Sequence, residues 1–269
     1  MKTAAIQMVS GVDVQANLEA ARALLAQAAA EGAELAVLPE YFCVMGRRDD
    51  AKLLVREEAG RGPVQEFLAT SAREFSLWIV GGTLPLATGD PARVRNTSLV
   101  FSPTGDCVAR YDKIHLFRFD DGREHYDESR VIEPGHQPPV SFELPSRDGR
   151  RWRIGLSVCY DLRFPELYRA LAADLLLVPS AFTHVTGEAH WELLLRARAI
   201  ENLCYVLAPA QGGIHENGRR TWGHSMAVDP WGEVLAQRTE GPGVVMANLD
   251  GSRLEQLRRR LPALEHRRL

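Results

Sequence analysis

The chain has 269 residues, of which 45% are hydrophobic and 25% are charged, and its formal net charge is −3. A chain of this length can bury a sizeable core, and the two fractions are those of an ordinary globular protein. Because the net charge is small, it gives no electrostatic argument for binding nucleic acid or a membrane surface. The sequence has no apolar run of about 18 residues and no signal-peptide pattern, so we expect a cytoplasmic protein.

The first half of the chain alternates between strand and helix patterns. Thr3–Val9 predicts a first strand, and Asp13 can cap a helix, rich in alanine and leucine, that continues to Glu31. Ala33–Leu38 predicts a second strand, and the Pro39-Glu40 pair that closes it would project a side chain into a cleft. The other elements predicted in this half are a helix, a strand and a hairpin, at Pro63–Glu74, Leu77–Gly82 and Asn96–Tyr111.

The second half begins with a polar stretch, Arg118–Pro139, which predicts a long loop that lines a site or is disordered. Arg153–Leu171 then joins an apolar strand pattern to a helix that starts near Pro165, and Cys159 lies at the junction. The remaining predicted elements are three strands, two helices and a hairpin: the strands Leu175–Val178, Cys204–Ala208 and Val244–Leu249, the helices Gly187–Asn202 and Ser252–Leu261, and the hairpin His224–Gln237.

Two pairs of segments resemble each other within the chain. Ala33–Glu40 resembles Ala173–Ser180, and Ser98–Gly105 resembles Ser225–Gly232, in the same order. Chance similarity of turn chemistry is the alternative explanation. A true duplication predicts a four-layer α-β-β-α sandwich, with two mixed sheets face to face and pseudo-two-fold internal similarity, and therefore a single domain over residues 1–269.

The cysteines and histidines of the chain are dispersed. Because no CxxC pair occurs, we expect free thiols in a reducing compartment and no disulfide framework. The spacing of His184 and His190 fits neither a helix face nor a zinc pattern, so we expect no metal and no cofactor. The four cysteines are Cys43, Cys107, Cys159 and Cys204.

Three residues could carry chemistry, and each also has a structural explanation. Cys159, at a strand end ahead of a helix, would have backbone N–H groups nearby that lower a thiol pKa, or it is a small buried hydrophobe. Glu40 is either catalytic or a cap for the next segment. Lys113 lies among apolar neighbours, where a lysine usually extends its charged tip into solvent.

Taken together in chain order, Leu38-Pro39-Glu40, Lys113-Ile114-His115 and Val158-Cys159-Tyr160-Asp161 resemble the Glu-Lys-Cys triad of the nitrilase superfamily of carbon–nitrogen hydrolases. Longer runs resemble the amidase branch of that superfamily, and two of them resemble deaminated glutathione amidases more than ω-amidases. These runs are Cys159–Leu171, Ala181–Asn202 and Gly223–Ala236, the last two carrying the closer resemblance.

The resemblance implies hydrolysis of an amide through a cysteine thioester. Cys159 would attack the amide carbon, and Glu40 would take the thiol proton and pass it to departing ammonia. Lys113 and the backbone N–H of Tyr160 would stabilise the oxyanion. Glu128 matches a second glutamate of the family, for which a salt bridge to Lys113 is the structural alternative.

The matching runs also imply a substrate pocket. Its predicted residues are Tyr160, Arg163, Thr183, His190 and Trp191. For Trp191 the alternative is helix packing, and His190, like His115, is expected to be a hydrogen-bonding support and not a base. Arg163, Arg118 and Arg123 are the cations available to bind substrate carboxylates, and Arg163, inside the matched motif, is the preferred one.

The expected substrate is a small ω-amide carboxylic acid, deaminated glutathione being the favoured example. An ω-amidase acting on acids of the 2-oxoglutaramate type, a nitrilase and an N-carbamoyl amidase would use the same triad, and a weakly catalytic interaction protein could keep the fold. The resemblance implies that subunits pair through the helix after the cysteine and through the C-terminal segment. Phe164, Leu167 and Leu171 give that helix an apolar face, so we expect a homodimer or larger assembly, unless the face packs into its own core.

Overall fold

Two mixed β-sheets form the centre of the computed structural model, which describes residues 1–122 and 124–268. In the first sheet the strands follow the order β17-β1-β2-β3-β5-β4, and β6 pairs with β5. Strands β1, β2 and β3 are parallel to one another, and their neighbours are antiparallel. These strands are β1 (Lys2–Gln7), β2 (Leu35–Val37), β3 (Trp78–Val80), β4 (Leu84–Ala87), β5 (Val94–Phe101), β6 (Cys107–Asp112) and β17 (Gly243–Asn248).

The second sheet has the order β16-β15-β12-β11-β10-β9, and β10, β11 and β12 are its parallel strands. Its strands are β9 (Ser141–Pro145), β10 (Arg151–Leu156), β11 (Leu175–Leu177), β12 (Tyr205–Ala208), β15 (Ser225–Val228) and β16 (Val234–Arg238). Two small hairpins lie outside the sheets, formed by β7 (Arg118–Asp120) with β8 (His125–Asp127) and by β13 (Gly212–Ile214) with β14 (Arg220–Trp222).

Helices cover the outer faces of the sheets. The first helix begins as the sequence predicts, because the side chain of Asp13 accepts a hydrogen bond from the backbone N–H of Ala16 at 2.7 Å. The helices are α1 (Val14–Ala30), α2 (Ala51–Leu54), α3 (Pro63–Phe75), α4 (Pro165–Leu171), α5 (His184–Asn202) and α6 (Gly251–Arg260). None of the helices within 1–122 and 124–268 is long and apolar enough to cross a membrane.

The contacts of alternate residues in one strand show which layer lies on each face of the sheet. In β1, Ala5 belongs to the core between the two sheets, whereas Ala4 and Ile6 pack with α1 and α3 on the other face. Strand residues buried on both faces are typical of parallel strands covered on each side. The predicted four-layer α-β-β-α sandwich is therefore confirmed, while its internal two-fold similarity and the single domain over 1–269 stay predictions.

Two sequence-based expectations need correction. Arg118–Pro139 is not a featureless loop, because it contains the β7–β8 hairpin and a 3-10 turn at Glu128–Arg130. The sequence patterns also gave no sign of β4, β9, β13 and β14. Most of these are only three or four residues long and too short for a recognisable period, and Pro85 within β4 weakens the strand pattern, as expected of an edge strand.

Candidate active site

The three motifs of the sequence analysis meet at one place. Glu40 follows β2, Lys113 follows β6 and Cys159 follows β10. Their side chains are almost completely buried, with relative exposures of 1% for Glu40, 1% for Lys113 and 7% for Cys159. The Lys113 Nζ donates to Glu40 Oε1 at 2.8 Å, and the charges of both residues act on the Cys159 thiol. The structure thus brings together three residues that are far apart in sequence.

Three donors fix the carboxylate of Glu40. Its Oε1 accepts from Lys113 and from Asn96 Nδ2, the latter at 2.9 Å, and its Oε2 accepts from the backbone N–H of Ala181 at 3.0 Å. Gln211 Nε2 also donates to the backbone carbonyl of Glu40, at 3.2 Å. The carboxylate is therefore held in one orientation before any substrate arrives, as an effective proton acceptor must be.

Lys113 lies between two carboxylates. Its Nζ donates to Glu128 Oε1 at 3.0 Å and to Oε2 at 2.9 Å, besides its contact with Glu40. Burial alone would lower the pKa of Lys113, but Glu128 and Glu40 raise it above its usual value. The lysine is consequently a cation, and its charge is available to an oxyanion.

Glu128 forms a salt bridge with Lys113, which is the structural explanation expected for this residue. It also accepts from the Tyr41 hydroxyl at 2.6 Å and from the backbone N–H of Phe117 at 2.7 Å. Burial would raise the pKa of Glu128, but Lys113 and these donors lower it below its usual value. The ionised carboxylate of Glu128 therefore holds the Lys113 ammonium in place.

Cys159 lies on a strained turn. Its φ of 51° is in the left-handed region, and it opens a 3-10 turn over Cys159–Arg163 directly after β10. Burial raises the pKa of the Cys159 thiol, and Glu40 raises it further, while Lys113 acts in the opposite direction. The resting cysteine therefore keeps its proton, and an attack on a substrate requires a base to remove it.

Asp161, which the sequence analysis did not single out as a site residue, ties the lysine segment to the cysteine turn. Its Oδ2 accepts from the Tyr111 hydroxyl at 2.7 Å and from the backbone N–H of Val158 at 2.8 Å. Its Oδ1 accepts from the backbone N–H of His115 at 3.1 Å and lies 2.7 Å from His115 Nδ1. Since Asp161 is fully buried, these bonds fix the position of Lys113 relative to Cys159.

A narrow pocket opens at the Cys159 side chain. Three of the predicted substrate-binding residues line it, namely Tyr160, Arg163 and Thr183. Four further residues of its wall were not predicted from the sequence: Phe117, Ala181, Phe182 and Thr186. A mainly apolar pocket with an arginine and a cysteine in its wall suits a small molecule that carries an anionic group.

The protein-family model described as carbon-nitrogen hydrolase matches residues 2–259. This chain belongs to the carbon–nitrogen hydrolase family. A relative from Synechocystis sp., named deaminated glutathione amidase, is 42% identical over 270 residues, which cover 98% of this chain and 97% of that protein. Both findings extend over nearly the whole chain, as does the resemblance stated from the motifs.

Solved structures give the same result. The NitFhit protein of C. elegans has a TM-score of 0.88 and 39% identity, and the match covers 99% of this chain and 65% of that one. A mutant of the amidase from Nesterenkonia sp. AN1 has a TM-score of 0.80 and 27% identity, with 100% of this chain and 94% of that one covered. In that mutant the acetamide moiety of fluoroacetamide is covalently added at the active-site cysteine.

Two of the predicted substrate-binding residues do not line the pocket of this carbon–nitrogen hydrolase. His190 Nδ1 lies 3.4 Å from both terminal nitrogens of Arg163 and so supports that side chain. Trp191 is 1% exposed, donates from Nε1 to the His224 carbonyl at 2.8 Å, and packs with its ring centroid 4.9 Å from that of Phe182. Trp191 therefore packs its helix against the core, which was the alternative to a substrate-binding role.

The other candidate groups of this carbon–nitrogen hydrolase lie elsewhere. Arg118 is exposed on β7, and Arg123 lies outside the described residues. All four cysteines are free thiols, and only that of Cys107 is exposed. Over residues 1–122 and 124–268 there is no group of three histidine, cysteine, aspartate or glutamate side chains that could hold a metal ion.

Proposed function

We propose that this carbon–nitrogen hydrolase is a thiol-dependent amidase whose catalytic residues are Cys159, Glu40 and Lys113, with Glu128 in support. The observation that carries the proposal is the buried contact of Lys113 with two carboxylates beside a cysteine on a strained turn. The favoured substrate is deaminated glutathione, which the name of the Synechocystis relative supports. The cytoplasmic location expected from the sequence stays a prediction.

In the first half of the reaction, Glu40 takes the proton of the Cys159 thiol while the sulfur attacks the amide carbon. The resulting oxyanion is stabilised by the Lys113 ammonium and, we propose, by the backbone N–H of Tyr160. Collapse of this intermediate breaks the C–N bond, and the proton held by Glu40 moves to the leaving nitrogen. The products are an amine and a thioester on Cys159.

In the second half, Glu40 is again a carboxylate and removes a proton from a water molecule that attacks the thioester. The C–S bond then breaks, and the proton returns from Glu40 to the sulfur, so that the acid leaves and the thiol is restored. Glu40 thus carries one proton in each half. The fixed orientation of its carboxylate by Asn96 and Ala181 fits both transfers.

The substrate assignment is tested by supplying the enzyme with several amides. We expect the highest kcat/KM for deaminated glutathione, measured as release of 2-oxoglutarate. Slower turnover is expected for 2-oxoglutaramate, nitriles and N-carbamoyl amino acids, followed as ammonia release. A preference for one of these other classes would replace deaminated glutathione with that class, whereas absence of turnover on all of them would favour the interaction protein.

Arg163 is predicted to bind a carboxylate of the substrate. Its guanidinium lies 5.6 Å from the ring centroid of Phe182 and 5.7 Å from that of Tyr160, and it forms part of the wall that contains Cys159. We expect Arg163→Ala to lower kcat/KM for acidic amides roughly ten- to a hundredfold more than for propionamide, because a charge-assisted pair is lost. Equal losses of kcat/KM on both substrate types would show that Arg163 stabilises the turn and does not bind the carboxylate.

The apolar face predicted on α4 does not support assembly. Leu167 and Leu171 are buried in the core. The ring of Phe164 stacks on that of His115, with 3.6 Å between the ring centroids, so this face packs within its own subunit. An exposed apolar surface lies instead where α5 meets the β15–β16 turn, since Arg196 of α5 donates to the Gly232 carbonyl at 2.8 Å. Its exposed residues are Leu193, Ile200 and Trp231.

We propose that the homodimer expected from the sequence forms through this exposed surface of α5. Apolar patches of this kind mark interaction sites. Light scattering at micromolar concentration should therefore give the mass of a dimer or larger assembly, and Leu193→Glu should shift it toward the monomer. A monomeric wild-type protein would refute the assembly.

A further inference from the structure

A second, narrow cavity adjoins the pocket at Cys159. Phe117 lines both cavities. The second cavity also reaches Glu128 and Tyr41, which connect it to Lys113, and it contains two cationic side chains, Lys52 and Arg219. Neither cation has a role in the sequence analysis or in the chemistry at Cys159.

The carboxylates near the two cations act on them only from a distance, since burial lowers the pKa of Lys52, and Asp49 and Glu128 oppose that shift without contact. The Lys52 Nζ lies 4.7 Å from the ring centroid of Tyr41, and the Arg219 guanidinium lies 4.8 Å from that of Tyr126. Arg219 Nη2 donates to the Ala181 carbonyl at 3.3 Å, but its Nε is buried and has no hydrogen-bond partner in the described part of the chain. Neither Lys52 nor Arg219 forms an ion pair with a carboxylate of residues 1–122 or 124–268.

The acidic groups at the cavity do not neutralise these cations by contact. Glu128 is bound by Lys113, Tyr41 and Phe117. Asp127 is bound through Oδ1 to the backbone N–H and the hydroxyl of Ser129, at 3.1 and 2.5 Å. Asp49 is exposed at the edge of the cavity. Two partly desolvated cations, one with an unused N–H donor, therefore remain available to an anion.

We propose that Lys52 and Arg219 form a second carboxylate subsite, which binds one end of an amide substrate while Arg163 binds a carboxylate at its other end. The inference rests on the proposed function insofar as the scissile amide must lie at Cys159. It specifies the substrate class as amides with a carboxylate on each side of the scissile bond. Deaminated glutathione belongs to this class, as does the simpler N-succinylglycine.

The subsite is tested by comparing Lys52→Met with the wild type on deaminated glutathione, N-succinylglycine and propionamide. Methionine keeps most of the length of lysine without its charge. We expect kcat/KM for the two-carboxylate amides to fall roughly ten- to a hundredfold more than for propionamide, mainly through KM, because a charge-assisted contact is lost. Arg219→Gln should show the same selectivity, although its contact with Ala181 adds a loss shared by all substrates.

Arg130→Gln is the matched control, since it removes an exposed cation from the 3-10 turn that begins at Glu128 and should leave the ratio between substrates unchanged. Equal effects of Lys52→Met on all three amides, or an effect on kcat alone, would overturn the subsite. So would a wild-type enzyme that does not prefer either two-carboxylate amide to propionamide. If deaminated glutathione is not hydrolysed but N-succinylglycine shows the selective loss, the subsite holds and the substrate assignment fails.

Discussion

Replacing Cys159 with alanine is expected to abolish amide hydrolysis while the fold persists. The substitution removes the only atom in the proposed mechanism that can form the thioester, and we expect kcat to fall by at least about 10⁴-fold. The side chain lost is small, and the turn around it is held by Asp161 through Val158, so circular dichroism and the melting temperature should change little. Steady-state product release measures the loss.

Cys204→Ala is the matched control for this experiment, because Cys204 is likewise a buried free thiol but lies in the core after α5. It should keep most of the activity. Glu40→Gln should be nearly as inactive as Cys159→Ala, and the double variant should be little worse than either, because residues of one catalytic unit give non-additive losses. Turnover of Cys159→Ala at a rate near that of the wild type would end the proposed mechanism.

Replacing Lys113 with methionine is expected to remove activity and also to destabilise the protein. The lysine is buried between Glu40 and Glu128, so its loss leaves two buried carboxylates without their shared cation. Breaking a buried ion pair in this way costs about 3–5 kcal/mol of unfolding free energy. Denaturant unfolding measures this cost, and Lys2→Met, a lysine at the protein surface, should change stability far less.

A double-mutant cycle identifies the cause of the destabilisation. Adding Glu128→Gln to Lys113→Met removes one of the unpaired charges, so the double variant should be more stable than the sum of the two single losses predicts. Strictly additive losses would contradict the account, because they would mean that Lys113 and Glu128 do not interact energetically. Activity should stay lost in both Lys113 variants, since the oxyanion lacks its cation.

The meeting of Glu40, Lys113 and Cys159 could be predicted because their three short motifs together resemble the Glu-Lys-Cys triad of the nitrilase superfamily. Taken alone, each residue also had a structural explanation. Glu40 follows β2 of the first sheet and Cys159 follows β10 of the second, so the packing of the two sheets brings them together. The bonds of Asp161 could not be predicted in the same way, since Tyr111 and His115 come from a distant segment and meet it only in the folded sandwich. A lone aspartate after a cysteine carries no local signal of such a role.

The pocket was predicted less completely than the triad. Trp191 and Arg163 lie in equally well matched motifs, yet Trp191 points into the core and Arg163 into the pocket. Helical periodicity does not decide which side of α5 faces a cavity, because both sides of the helix carry apolar residues. The hairpin within Arg118–Pro139 was missed because its strands have only three residues each, and three of these six residues are charged.

The most direct test of the account is to locate the acyl group by mass spectrometry of enzyme quenched in acid during turnover of deaminated glutathione. The proposed mechanism predicts an adduct with the mass of the 2-oxo acid's acyl group, as a thioester on the peptide that contains Cys159, and its absence from the Cys159→Ala variant. An acyl group on Cys43, Cys107 or Cys204 would contradict it. Steady turnover with all four cysteines unmodified would contradict it as well.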